Sequence, residues 1–243
     1  MKVKFKYIFL VLMLGTAAAF GQSVVITEKK VDYKRPKPMA DYKAGFVVHY
    51  PQVKAATPAL SKKIEAAISY ETVMKLNIKE ELNDIQWLEE ASYDVGYNRR
   101  GILSIALTVE GSGAYPSTNT KNVVVDLRNG TRVRPADIFT NLPGLLAKVR
   151  IAMNREVLSS IAEIRADKTN EEPHPERIFK EQAKYNPLKL DEFQVDEKGV
   201  TFLHDYGFPH VILALQPSGA FHYTWKELKP YIKRDGLLGQ FVH

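Results

Sequence analysis

The sequence of 243 residues predicts an α+β fold: a largely antiparallel sheet built from hairpins and covered by two main amphipathic helices. Apolar residues alternate with polar ones in clustered stretches, which is the pattern of half-buried strands. Two other stretches repeat at helical spacing, and these lie between clusters of strands rather than between every pair, which separates α+β from α/β. The composition, 45% hydrophobic and 26% charged, is that of an ordinary globular chain. With no cysteine, disulfides, cysteine-zinc sites, iron–sulfur clusters and thiol catalysis are excluded.

The first 21 residues read as a secretory signal peptide. Lys2, Lys4 and Lys6 precede the apolar run from Tyr7 to Leu14, and small residues then lead to Ala19-Phe20-Gly21, which fits a cut after Gly21. The run is too short for a membrane span, which needs about 20 apolar residues. Losing those three lysines takes the formal charge from +6 to +3, too little to argue for nucleic acid. Residues 22–43 hold Lys29, Lys30, Lys34, Arg35, Lys37 and Lys43 around Pro36 and Pro38, and read as a basic, solvated, extended arm. A single domain is expected over residues 44–243.

Gly45 to Pro51 reads as a short strand stopped by its proline. Thr57 before Pro58 is a helix cap with proline in the first turn, and Leu60, Ile64, Ala67 and Ile68 extend a helix to about Leu76. From Trp87 the period becomes two. Tyr93, Val95 and Tyr97, then Leu103, Ile105, Leu107 and Val109, form a hairpin with one buried face. Val123 to Leu127 is a third strand, and Arg128-Asn129-Gly130-Thr131 predicts a tight turn with positive φ at both central residues. Asn141, with Pro143, caps the longest helix, striped by Leu145, Leu146, Val149, Met153, Val157, Ile161 and Ile164. A polar loop from Arg165 to Arg177 and a short helical piece from Glu176 to Lys184 follow. Strands are expected at Phe193 to Val195, Val200 to Tyr206 and His210 to Leu215, with a closing helical turn from Trp225 to Ile232.

No His-Glu-x-x-His, Gly-x-Ser-x-Gly, Ser-x-x-Lys or phosphate-cradling loop is present. The densest group of functional residue types is His204-Asp205-Tyr206-Gly207-Phe208-Pro209-His210, with His222 on the next strand. An envelope hydrolase centred on His204, Asp205 and His210 is one reading, but period-two geometry turns His204 and Asp205 to opposite faces, and the histidine spacings do not suit a metal. The second candidate, Glu171 to Glu176 around His174, reads as a solvated charged loop. No catalytic residue, metal or cofactor is assigned. Binding is assigned instead to Tyr115, Tyr206, Phe208, His210 and His222, because aromatics in loops beside a rigid sheet give apolar area with polar handles.

Three stretches carry a family resemblance: Tyr93 to Ser104; Gly113 to Pro116 with Val125 to Gly130 and Pro135 to Phe139; and Phe193 to Phe202 with Trp225 to Leu228. Their order resembles the extracytoplasmic domain of unknown function found in the RsiV anti-sigma factor, which binds lysozyme, and in the peptidoglycan deacetylase PdaC. The resemblance spans roughly residues 44 to 232 and implies an α+β sensory or binding module working outside the cytoplasm. Neither the anti-sigma segment nor the deacetylase domain is represented, and Tyr115 stands where many relatives carry histidine. The expectation is an exported, non-catalytic binding module whose partner is a cell-wall glycan or an envelope or host protein such as lysozyme.

Overall fold

The computed structural model describes residues 23–40, 42–167, 169 and 174–242; the signal-peptide reading and most of the acidic stretch after Asn170 lie outside them. The fold is α+β, as its sequence predicts, with two sheets. Strands β1 (Val25–Lys34) and β2 (Gly45–Lys54) pair antiparallel from end to end. The basic stretch expected as a solvated arm is therefore the edge strand of the main sheet. Its lysines remain in water, as edge strands require, while Tyr33 stacks on Phe46 with ring centroids 4.9 Å apart. Arg35 is buried, its guanidinium donating to the carbonyls of Glu81 (3.1 Å), Lys43 (2.6 Å), Gly45 (3.3 Å) and Leu88 (2.7 Å). One side chain thus ties the end of β1 to the start of β3, and the domain begins well before residue 44.

Pro51 does not stop β2. The Val53 N–H donates to Glu65 and the His49 carbonyl accepts from Tyr70, so alternate residues 49, 51 and 53 turn their peptide groups away from β1. The nitrogen of Pro51 sits where the β1 ladder needs no donor. The chain then crosses over through α1 (Pro58–Ala67), α2 (Tyr70–Val73) and α3 (Ile78–Asn83) before pairing parallel to β2 as β3 (Leu88–Arg99). Thr57 caps α1 as expected, its Oγ1 accepting from the Leu60 N–H at 3.2 Å. The helix expected to reach Leu76 breaks at Ile68, because Ser69 accepts from the Thr72 N–H and starts a new one. Asn77 caps α3, a helix the sequence reading left out.

β3, β4 (Ile102–Ser112), β5 (Pro116–Asp126) and β6 (Thr131–Arg132) complete the main sheet, in the order β1-β2-β3-β4-β5-β6. At the β5–β6 turn only Gly130 has positive φ, +73°. Asn129 instead accepts from the Thr131 N–H at 2.9 Å, so the turn is held by a side chain rather than by two left-handed residues.

α4 (Pro135–Ile138), α5 (Leu142–Ala166) and α6 (Pro175–Tyr185) precede a second sheet of β7 (Phe193–Val195), β8 (Gly199–Leu203) and β9 (Ala220–Thr224), closed by α7 (Trp225–Leu228). Asn141 caps α5, accepting from the Gly144 N–H at 3.0 Å. The β3–β4 hairpin was expected to bury one face; it buries both. Leu103, Ile105, Leu107 and Val125 pack with Ile64 and Ile68 of the crossover. Tyr97, Ile102 and Val124 pack on the other side with Val149 of α5 and Phe193, Phe202 and Phe221 of the small sheet. Ser104 faces that second core too, and its hydroxyl accepts from the Val195 N–H at 3.1 Å. Each fully buried aliphatic or phenylalanine side chain in these two cores contributes about 1.5–3 kcal/mol.

Candidate functional site

A trough with a volume of about 560 Å³ runs between β5 and the segment joining β8 to β9. Its first wall follows from β5 outgrowing its cover. Val123 to Asp126 are buried, but Pro116 to Lys121 reach past both cores and are exposed. The Asn122 N–H donates to Glu192, and the Val124 carbonyl accepts from the Val133 N–H, so even-numbered residues turn their peptide groups away from β4. Thr118 and Thr120 therefore offer backbone donors and acceptors to the trough. Glu192, before β7, ties the floor together by accepting from Lys121 at 3.0 Å and from the Asn122 amide at 3.2 Å. Gln194 donates to Asn122 beside it.

The second wall is residues 204–219, and α5 clamps its two ends. Glu156 accepts from the Tyr206 hydroxyl at 2.8 Å, the Ser218 hydroxyl at 2.8 Å and the Gly219 N–H at 3.2 Å. The His204 N–H donates to the Gly219 carbonyl at 2.8 Å, and the Phe208 N–H to Gln216 at 2.8 Å. Gly219 has φ +62°, and a Cβ there would lie 1.9 Å from the His204 carbonyl oxygen, so the closure needs glycine. The span from His210 to Leu215 is a 3-10 turn rather than the expected strand. Two of its apolar side chains face outward, Val211 being 84% exposed and Leu213 47%, while Ile212 and Leu215 pack on the Tyr206 and Phe208 cluster.

The five residues read as a binding surface do not form one patch. Tyr206 and Phe208 are core, 5% and 6% exposed, packed on Phe179 of α6 with ring centroids 5.7 and 5.0 Å away. Burial and the bond to Glu156 push the Tyr206 hydroxyl pKa strongly upward, so it remains a donor. Tyr115 and His210 do come together, stacked with centroids 4.5 Å apart and planes 22° apart, and Tyr115 is 60% exposed. Each stands three residues before a trough wall residue, Thr118 and Leu213. His222 lies on the outer face of the small sheet, in register with Thr201, which pairs in turn with the trough residue Gln194; neither Thr201 nor His222 lines the trough itself. Its Nε2 is 3.6 Å from Asp196.

His204 lines the trough together with Asp205, but the Asp205 carboxylate accepts from the Gly207 N–H at 2.7 Å and braces its own turn. Burial lowers the His204 pKa, against the opposing pull of Asp205 and Glu156. Among the described residues no hydrogen bond joins His204, Asp205 and His210. The residues missed by sequence reasoning are Asn122, Glu192, Gln194 and Glu156, polar side chains on elements whose patterns advertise only a strand or a helix.

No family model matches the sequence, and no curated protein does. Solved structures do. A member of the DUF3298 family from Bacteroides fragilis NCTC 9343 is 15% identical, with a TM-score of 0.56 over 90% of this chain and 96% of that one. A DUF3298 family protein from Pseudomonas aeruginosa PAO1 is 12% identical, with a TM-score of 0.55 over 88% of this chain and 95% of that one. The fold is thus the one that the RsiV and PdaC resemblance implies. Among the described residues no helix is long and apolar enough to cross a membrane.

Proposed function

We propose that this chain is an exported, non-catalytic binding module of the cell envelope, and that the trough beside β5 holds a segment of cell-wall glycan. The observation that carries the reading is the exposed Tyr115, stacked on His210 next to walls rich in amides and hydroxyls. An aromatic face packs against the apolar face of a sugar ring, while amide and carboxylate groups such as Asn119, Asn122, Glu192 and Gln216 exchange hydrogen bonds with ring hydroxyls. A binding site needs such groups held without strain, and the Glu192 and Gln194 bonds to β5 supply that. An envelope or host protein such as lysozyme is the other partner expected, and the exposed Val211 and Leu213 on the same wall favour it.

Titration calorimetry of the purified protein with soluble peptidoglycan fragments, and separately with lysozyme, tests this. Saturable fragment binding, weakened about tenfold in Tyr115→Ala, is the expected result, a loss of about 1.4 kcal/mol. Fragment binding at full strength in that variant, or binding of lysozyme but not of fragments, refutes the glycan reading. Since Tyr115 is mostly exposed, the substitution should change stability by no more than about 0.5 kcal/mol.

A further inference from the structure

A second concavity, of about 420 Å³, opens between α5 and α6 and shares His204 with the trough. Its floor is apolar. Met153, Val157 and Ile161 recur every four residues along α5, and Phe179 and Ala183 face them from α6. These side chains are covered on one side only: Met153, Val157 and Ile161 are packed against core yet only half-buried. A volume of this size lies within the range of about 300–1,000 Å³ that small-molecule sites occupy.

Positive charge stands at both ends of the cleft, and what sets the Arg150 end apart is the amide beside it. α6 runs back along α5, and at the end where the helices meet, Glu176 is neutralised by Arg165 at 2.9 Å, with Lys180 one turn further on. At the other end stand Arg150 and the Asn154 amide, one turn apart on the same face of α5. Arg150 makes no ion pair with any described residue. The one carboxylate at the base, Glu156, stands behind Tyr206 and does not line the cleft. The Tyr206 hydroxyl is spent on Glu156, and burial favours the neutral form of His204. From Arg150 to Ile161 is roughly 16 Å along the helix axis, about the reach of an extended dodecyl chain.

We infer that this cleft binds a single-chain amphiphile with an anionic head, its hydrocarbon on the α5–α6 floor and its carboxylate or phosphate held by Arg150 and Asn154. The guanidinium offers paired donors to either head group, and the amide adds a third direction. The tail is the larger source of affinity, since each methylene moved from water onto the floor adds to binding. The head sets orientation and selects anions over cations. This site has only His204 in common with the trough and does not rest on the glycan reading.

The test is calorimetric titration of the purified protein with monomeric dodecanoate, below its micellar range, beside dodecyltrimethylammonium and octanoate. Saturable one-to-one binding of dodecanoate is expected, about tenfold tighter than the cation. Arg150→Gln should weaken that preference several-fold and Arg150→Glu weaken it further, Lys180 remaining in the cleft; both sit on an exposed helix position and leave folding intact. Ala183→Trp, which fills the floor, should abolish binding of all three amphiphiles. Equal affinity for anion and cation, an Arg150→Gln variant indistinguishable from wild type, or no binding of dodecanoate overturns the inference. Vesicles containing phosphatidylglycerol form a second arm. Association with vesicles but not with monomeric dodecanoate assigns Arg150 to a membrane surface instead, and equally overturns it.

Discussion

Replacing Glu156 with alanine should loosen one wall of the trough while leaving both sheets in place. Its carboxylate accepts from Tyr206, Ser218 and Gly219, drawing together the two ends of a segment separated by a dozen residues of chain. Hydrogen bonds to a charged group contribute about 1.5–3 kcal/mol each when shielded and less when wet. The Tyr206 bond is the shielded one, because Tyr206 is 5% exposed, whereas Ser218 is exposed. Glu156→Ala should therefore cost about 2–4 kcal/mol, and Tyr206→Phe about 1–2 kcal/mol. Urea unfolding of both single variants and the double variant supplies the assay, with a coupling of about 1–2 kcal/mol between the two sites expected. Hydrogen exchange adds a local readout: the amides of Phe208 and Gly219 should lose protection in Glu156→Ala while those of β4 keep theirs. A cost below about 0.5 kcal/mol, the scale of an ordinary surface change, would refute the reasoning. So would protection lost evenly across the molecule.

Arg35→Met should cost about 3 kcal/mol or more in urea unfolding, since it strands carbonyls of Lys43, Glu81 and Leu88 that the guanidinium now satisfies; a neutral result would return residues 23–35 to a loose arm. Gly219→Ala should lower the thermal midpoint by several degrees, given φ +62° and the contact its Cβ would make with the His204 carbonyl, and a midpoint equal to wild type would contradict the closure described. His204 gives a pH signature. Burial depresses its folded-state pKa below the ordinary 6.5, so the unfolded chain takes up the proton first on acidification. Its contribution is present in full above about pH 6.5, is lost as pH falls toward the depressed value, and should vanish from the stability profile of His204→Gln.

Local chemistry was the legible part of this fold. Thr57 and Asn141 cap the helices their side chains promise, and the alternation from Tyr93 to Val109 does make a hairpin. What stayed hidden depends on neighbours distant in sequence. β1 carries Glu28, Lys29, Lys30 and Lys34 because it is an edge, so it lacks the apolar alternation of a half-buried strand and looks like a tether. The run His210 to Leu215 looks like a strand because it is apolar, yet it coils into a 3-10 turn that sends Val211 and Leu213 to water and Ile212 and Leu215 onto the core. Tyr206 and Phe208 look like surface aromatics between turn residues; α5 and α6 close over them, which no pattern within residues 204–210 encodes. Of the five residues chosen from composition, Tyr115 and His210 are the pair that stand together, Tyr115 just before β5 and His210 at the start of the 3-10 turn.

The clamp by Glu156 has a further consequence for how such a protein can change over generations. The segment it pins behaves as a cassette whose fixing points lie at Tyr206, Ser218 and Gly219, while the stretch from Pro209 to Leu215 reaches outward from them. Exchanges at its outward positions Val211, Leu213 and Ala214 alter neither clamp nor core, whereas Ile212 and Leu215 stay fixed against the Tyr206 and Phe208 cluster. A lineage can thus rewrite what one side of the trough presents, residue by residue at those outward positions, without renegotiating the scaffold that carries it.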